Sequence, residues 1–232
     1  MKIVTSLSPR RVDRQKKCLE SWKQLGVPIV AVQSNEEAEN ISDLYDGVVV
    51  VGTDLVGDRF NMPKCVRIKA MSRLAIHESV LIINSDIEIR SDKDVFLKRW
   101  EDGEDGELKV GIRWDQMPKS SAAKMFKWGI DAFLITPKID SDLPDIGMTL
   151  GAPAWDYWIP YHLVTKQKYR VTTYKDFSLV HEIHNRQWSD AAYQSGLKIM
   201  QEEYGIGRDA LSSFILDVTE RRPVEQRRRV RR

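Results

Sequence analysis

The stretch Val80-Leu81-Ile82-Ile83-Asn84-Ser85-Asp86-Ile87-Glu88-Ile89 constrains the fold of this chain more than any other. Four apolar, β-forming residues run into an Asn-Ser pair and then into two carboxylates two residues apart. That is the pattern of a fully buried strand whose end emerges at a polar site. Extended chain alternates its side chains, so Asp86 and Glu88 are expected to point the same way. In open α/β sheets ligands gather at the carboxyl ends of the strands, where two such acids would hold a cation and the anion that comes with it.

The elements around this stretch predict an α/β fold. Residues 2–7 read as a strand and Ser8-Pro9 as a turn. Residues 10–25 read as a helix, with Val12, Cys18, Leu19, Trp22 and Leu25 apolar and Gly26 closing it. A second strand over 28–33 completes a βαβ opening, which favours a parallel sheet. A third strand is expected over 47–51. Asn61-Met62-Pro63 reads as the start of a helix reaching about residue 77, with Lys64, Arg67, Lys69 and Arg73 on its basic side.

A short helix over 92–100 is expected next, followed by an acidic, glycine-broken loop over 101–106. From Leu108 long helical patterns give way to strands over 108–114, 130–136 and 169–174, so the second half reads as mixed sheet. A short helix is expected after the aromatic segment around Trp155, and another helix over 189–204. Residues 213–218 fit either state. The expectation is a Rossmann-like, mostly parallel central sheet with helices on both faces and a mixed-sheet C-terminal half. Residues 1–220 would form one domain, halved at 107/108, and a basic tail over 221–232 would lack fixed structure.

Size and composition narrow the class. The 232 residues are 42% hydrophobic and 30% charged, ordinary for a globular protein with a substantial core. Cys18 and Cys65 make neither a disulfide framework nor a paired metal motif, so a reducing compartment is expected. The apolar opening is too short for a signal peptide and no run is long enough for a membrane span, so a cytoplasmic protein is expected. Residues 221–232 contribute +6 to a chain whose total is +2, which leaves −4 on the rest.

Three groups of residues could carry chemistry. Asp86 and Glu88 offer oxygen ligands to a hard cation such as Mn²⁺ or Mg²⁺, or they are a solvated strand end. His181 and His184, two of only four histidines, follow an apolar run and could complete a metal shell; alternatively they are surface or capping residues. Asp156 lies among Trp155, Tyr157, Trp158 and Tyr161, the composition expected where sugar faces stack beside a base. It could equally cap a helix with the aromatics in the core.

The βαβ opening, the strand ending in Asn84-Ser85-Asp86-Ile87-Glu88, the Gly129-Ile130-Asp131-Ala132-Phe133 strand, the aromatic loop with Asp156 and the late His181 together resemble the GT-A fold glycosyltransferases. The likeness in layout covers roughly residues 2–200, on short motifs. It implies transfer of a sugar from a nucleotide-diphosphate sugar to an acceptor, with Mn²⁺ or Mg²⁺ bridging the donor diphosphate. Asp86 and Glu88 would take the metal and donor ribose, with His181 or His184 as an added ligand and Asp156 as the group that contacts or deprotonates the acceptor. Thr5, Ser6, Leu7, Arg10, Gln33 and Asn35 would hold the nucleotide, with Asn84, Ser85, Lys64, Lys69 and Asp131 beside the donor. Trp155, Tyr157 and Trp158 would meet the acceptor. Glu88 departs from the commoner Asp of that motif.

Two rivals remain open. A nucleotidyltransferase on a related sheet would also use a metal and carboxylates, but it asks for a glycine-rich loop after the first strand, and Leu7-Ser8-Pro9-Arg10-Arg11 has no glycine. A nucleic-acid-associated binding module would use the tail arginines Arg227, Arg228, Arg229, Arg231 and Arg232. An anionic partner of that tail is compatible with either class.

Overall fold

Strand β1 (Lys2–Thr5) leads through helix α1 (Val12–Lys23) to β2 (Ile29–Ser34), which is buried at every position. Only a strand covered on both faces and flanked on both edges reads this way. Helix α1 buries Gln15, Cys18, Leu19 and Trp22, the 3-4 spacing of one helical face, and the chain leaves it through Gly26 at φ 67. After α2 (Asn35–Ser42), β3 (Val49–Thr53) pairs in parallel with β2 and forms one edge of the sheet. The computed structural model describes residues 1–60, 62–101, 104–184 and 189–220.

The helix expected from residue 61 is corrected. Val56–Gly57 (β4) and Met62–Val66 (β5) form an antiparallel pair, and α3 spans only Ile68–Ser72 before a 3₁₀ turn over Arg73–Ala75. The reason is tertiary: the Arg67 amide donates to the Leu55 carbonyl at 3.0 Å and the Leu150 amide to the Val66 carbonyl at 3.1 Å, so pairing overrides a helix-like spacing. Asn61 lies outside the described residues.

The 80–89 stretch is also two strands rather than one. β6 (Val80–Ile83) is fully buried between β1 and a later strand, and β7 (Ile87–Ile89) lies at the far edge of the sheet. Asn84-Ser85-Asp86 is a turn between them, closed by the Ile87 amide donating to the Asn84 carbonyl at 3.2 Å. Asn and Ser favour such turns because their side chains bond nearby backbone.

Helix α4 (Lys93–Arg99), capped by Asp92, precedes the long strands β8 (Glu107–Gln116) and β9 (Ala123–Ile135). Four helices then interleave with two strands: α5 (Pro137–Asp142), α6 (Trp155–Thr165), β10 (Arg170–Tyr174), β11 (Leu179–Glu182), α7 (Asp190–Tyr204) and α8 (Arg208–Glu220). The second half is therefore more helical than its sequence texture suggested, and the ambiguous stretch around 213–218 belongs to α8. The basic tail over 221–232 lies outside the described residues.

The large sheet runs β3-β2-β1-β6-β9-β8-β11-β7 with β10 beside β8, and it mixes parallel and antiparallel pairs. Strands from both halves of the chain share it. Helices cover both faces: Leu19, Trp22, Phe96 and Trp100 join one apolar core with Leu81 and Leu134, while Met71, Ile139, Trp158, Ile199 and Ile215 join the other with Ile82 and Phe133. The chain leaves β1 toward β2 on one side and returns to β6 on the other. The carboxyl ends of β1 and β6 are therefore the topological switch point, the place where open α/β sheets bind ligands. No helix of the described residues is long and apolar enough to cross a membrane.

Trp22 ties α1 to the segment that follows this edge, because its indole N–H donates to the buried Ile87 carbonyl at 2.8 Å. Trp22→Phe removes that donor and shrinks the ring, so urea unfolding should show a loss of about 1–3 kcal/mol. A loss below about 0.5 kcal/mol would show that the bond contributes little to holding β7.

Candidate functional site

Sheet register explains how the site is assembled. On β11, His181 sits opposite Ile87 of β7 on one side and Asp115 of β8 on the other, so Asp86 and Asp115 flank it from two neighbouring strands. Its Nε2 lies 3.4 Å from Asp86 Oδ2 and its Nδ1 2.9 Å from Asp115 Oδ1. His184, three residues on, places its own Nε2 3.1 Å from Asp86 Oδ2, and the two imidazoles stand 5.0 Å apart at 65°. Asp86, His181 and His184 each present one ligand atom, all within 4.8 Å of one another.

The cluster continues along β8 and β9. Arg113 shares a face of β8 with Asp115; its Nε approaches the Asp115 carboxylate at 2.9 Å and its Nη1 donates to Asp131 Oδ2 at 3.1 Å. Asp131, 2% exposed on β9, also accepts from the Asn84 amide side chain. Asn84 and Asp131 are thus partners across the β6–β9 edge. From α1, Arg14 donates to the Glu182 carbonyl, and its charge bears on Asp86.

Asp156 stands in the first turn of α6, where the helix dipole favours a negative charge. The loop before it turns sharply, with Gly151 at φ 78 and Ala154 at φ 72. Gly196 of α7 lets the two segments meet, since a Cβ there would lie 2.4 Å from the Pro153 carbonyl oxygen.

Burial and pairing oppose one another at each charge. Burial alone would raise the Asp86 pKa, but hydrogen bonds from His181 and His184 outweigh it and hold this carboxyl well below its usual range. Burial alone would lower His181, yet its bonds to Asp115 and Asp86 raise it to about 9. Asp115 is lowered in the same way, burial being overcome by His181 and Arg113. Asp156 goes the other way: burial pushes its carboxyl well above the usual range, the Asp131 charge adds to this, and Arg113 only partly offsets it.

No family model and no curated protein matches this chain.

The expected site residues divide by where the fold puts them. Asp86, His181 and His184 come together, with Asn84 and Asp131 beside them. Ser85 lies in the same turn. Glu88 does not join them: one of its oxygens is 2.8 Å from Arg90 and 3.1 Å from Lys17, because the turn sends the two acids to different partners. Thr5, Ser6, Leu7 and Gln33 lie at the carboxyl ends of β1 and β2, where Ser6 Oγ donates to Gln33 Oε1 at 3.1 Å. Thr5 Oγ1 and Gln33 Nε2 are buried without a hydrogen-bond partner among the described residues. Arg10 is exposed in the loop after β1, and Asn35, at the start of α2, donates to Asp54 at 2.7 Å.

Five residues expected to meet donor or acceptor are engaged elsewhere. Lys69 is held by Asp140 of α5 at 3.0 Å, near the end of the sheet where Val80 pairs with Ile135, opposite to the site. Trp155 and Trp158, 3% and 1% exposed, are core residues. Trp155 packs on Phe133 and Trp158 bonds the Tyr204 hydroxyl. Tyr157 is half-buried against the same core, and Lys64 pairs with Glu36 at 3.0 Å. Arg113 and Asp115 were missed by sequence reasoning. The signal was there in two opposite charges at i, i+2 directly after the apolar run Val110-Gly111-Ile112.

A carboxylate behind a metal-facing imidazole fixes its tautomer and raises its basicity. With Mn²⁺ as the probe of this candidate centre, Asp115→Ala should therefore bind about 10–100-fold more weakly than the parent in a calorimetric titration, with Asp115→Glu retaining more of the affinity. Unchanged affinity in Asp115→Ala would remove Asp115 from the centre.

Asp156 yields a pH prediction. With its folded pKa raised, the native state holds a proton that the unfolded chain releases above about pH 4, so this residue costs stability increasingly as pH rises. Asp156→Asn should match the parent near pH 3.5 and gain over it by pH 7, read as a difference in urea midpoints. A variant less stable than the parent at pH 7 would contradict the assigned burial.

Proposed function

We propose that this chain is a metal-dependent glycosyltransferase that moves a sugar from a nucleotide-diphosphate sugar to an acceptor hydroxyl, on a GT-A-like fold. The observation that carries the reading is the Asp86–His181–His184 group at the carboxyl edge of the sheet, beside the switch point where the strand order reverses around β1. The carboxylate and two imidazoles suit Mn²⁺ better than Mg²⁺, which prefers oxygen alone.

In the transfer step the bond between the sugar's anomeric carbon and the diphosphate oxygen breaks, and the acceptor oxygen bonds to that carbon. A divalent cation, when bound, offsets the negative charge that collects on the departing diphosphate. Asp86 fixes the position of that charge, while Asp115 orients His181 toward it. Asp131, held by Asn84 and Arg113, faces the sugar. Asp156 takes the acceptor proton; its raised pKa brings it toward the working pH, as a general base requires.

Two imidazoles and one carboxylate also form the donor set of ferrous oxygenases, so a second reading is an Fe²⁺ site. One panel separates the two. Thermal unfolding is followed with UDP, GDP, CDP, ADP and dTDP, each with Mn²⁺, with Fe²⁺ under argon, and without metal. At least one nucleotide should raise Tm only when Mn²⁺ is present, the shift corresponding to the roughly 2.7 kcal/mol of stabilisation expected at a hundredfold excess over Kd, and Asp86→Ala should abolish the response. Asp156→Asn should keep the response and lose turnover. Stabilisation by Fe²⁺ with no nucleotide effect would replace the transferase reading.

A further inference from the structure

Beyond the carboxyl end of β6, β9 continues with β8 as its ladder partner, and the other edge of β8 is taken by β11 at Trp114, Asp115 and Gln116. Ala132 is the last β9 residue paired with β6, through Ile83, and residues 123–130 have only β8 as a partner in that ladder. This β8–β9 arm is bulged: Ile130 pairs with Ile112 but Met125 with Trp114, so residues 126–129 lie opposite Arg113 alone. It is anchored at its base by the cluster just described, because Arg113, Asp115 and Asp131 all belong to it.

The arm carries two exposed rings. Phe126 is 36% exposed and Trp128 40%, whereas Trp22, Trp100, Trp155 and Trp158 are all 3% or less. Between the two rings Lys127 pairs with Glu220 of α8 at 3.2 Å. Phe126 and Trp128 touch each other, with centroids 6.0 Å apart and planes at 59°. Arg113 lies under the Phe126 ring at 4.7 Å, so the aromatic pair is continuous with the charged cluster. Gly129 permits this contact: a Cβ there would lie 2.8 Å from Phe126 and 2.9 Å from Arg113.

We propose that Phe126 and Trp128 form the platform on which a pyranose ring of the acceptor stacks, making the acceptor of this enzyme a carbohydrate; this rests on the glycosyl-transfer reading above. A pyranose presents an apolar C–H face to an aromatic ring and hydroxyls around its rim. Here the rings supply the apolar face, and the hydroxyls of the same sugar meet Lys124 and Arg113 alongside. Lys124 and Lys127 interrupt the apolar surface within two residues of each ring, which disfavours a lipid chain. The platform lies on the arm, apart from the β1 and β2 ends that would hold the nucleotide.

The test uses the full chain and methyl glycosides of glucose, galactose, mannose and N-acetylglucosamine, with binding read by saturation-transfer NMR and tryptophan fluorescence. At least one glycoside should bind in the millimolar range. Trp128→Ala should weaken that binding by about tenfold or more, the scale of one stacking contact, while Trp128→Phe retains it. Mn²⁺ affinity should be unchanged in both variants, since Trp128 is exposed and touches no metal-facing group. Binding that survives Trp128→Ala, or no binding by any of the four sugars, overturns the platform. Nucleoside diphosphates with Mn²⁺, titrated into the same samples, judge the transfer reading separately: their failure to bind sinks that reading, while the glycoside result still judges the platform.

Discussion

Charge pairing across neighbouring strands is the constraint on which the rest of this site depends. Asp86, Asp115 and Asp131 are carboxylates partly or fully withdrawn from water, and each would be costly without a cation or donor against it. His181 answers two of them and Arg113 answers two, sharing Asp115. The chain His184–Asp86–His181–Asp115–Arg113–Asp131–Asn84 is thus one network that ties β8, β9 and β11 to the turn between β6 and β7. Removing one member leaves a neighbour buried and unmatched, so its parts behave as a unit.

The network also gives its carboxyls different characters. Asp86 is held as an anion by two imidazoles, whereas Asp156 sits beside a like charge in a desolvated turn and resists ionisation. Pairs of acids driven apart in this way are how one site separates a fixed negative charge from a proton acceptor. The same burial that lifts Asp156 destabilises the native state at neutral pH, so the fold carries a cost that its packing alone does not explain.

Much of the scaffold was legible from local pattern. The βαβ opening, the buried strands over 29–34 and 80–83, the helix with Trp22 and Leu19 on one face, and the helix capped by Ser189 all follow from apolar periodicity and caps. Where the reading failed, a long-range contact outweighed a local one. Residues 62–66 pair as a strand with 56–57, Trp155 and Trp158 fill the core under β9, and the turn at Asn84 separates Glu88 from Asp86.

The amino-acid sequence by itself determined that a buried apolar strand would deliver Asp86 to a polar edge, and that two histidines would follow a second such run. Those are properties of residue order, because burial and alternation act over a few neighbours. Only the tertiary structure decided that His181 stands between Asp86 and Asp115, that Glu88 does not, and that Arg113 joins the cluster to an exposed aromatic pair. These relations depend on the register and order of strands far apart in the chain. Strand register is set by the summed packing of both sheet faces, which no short window of sequence contains.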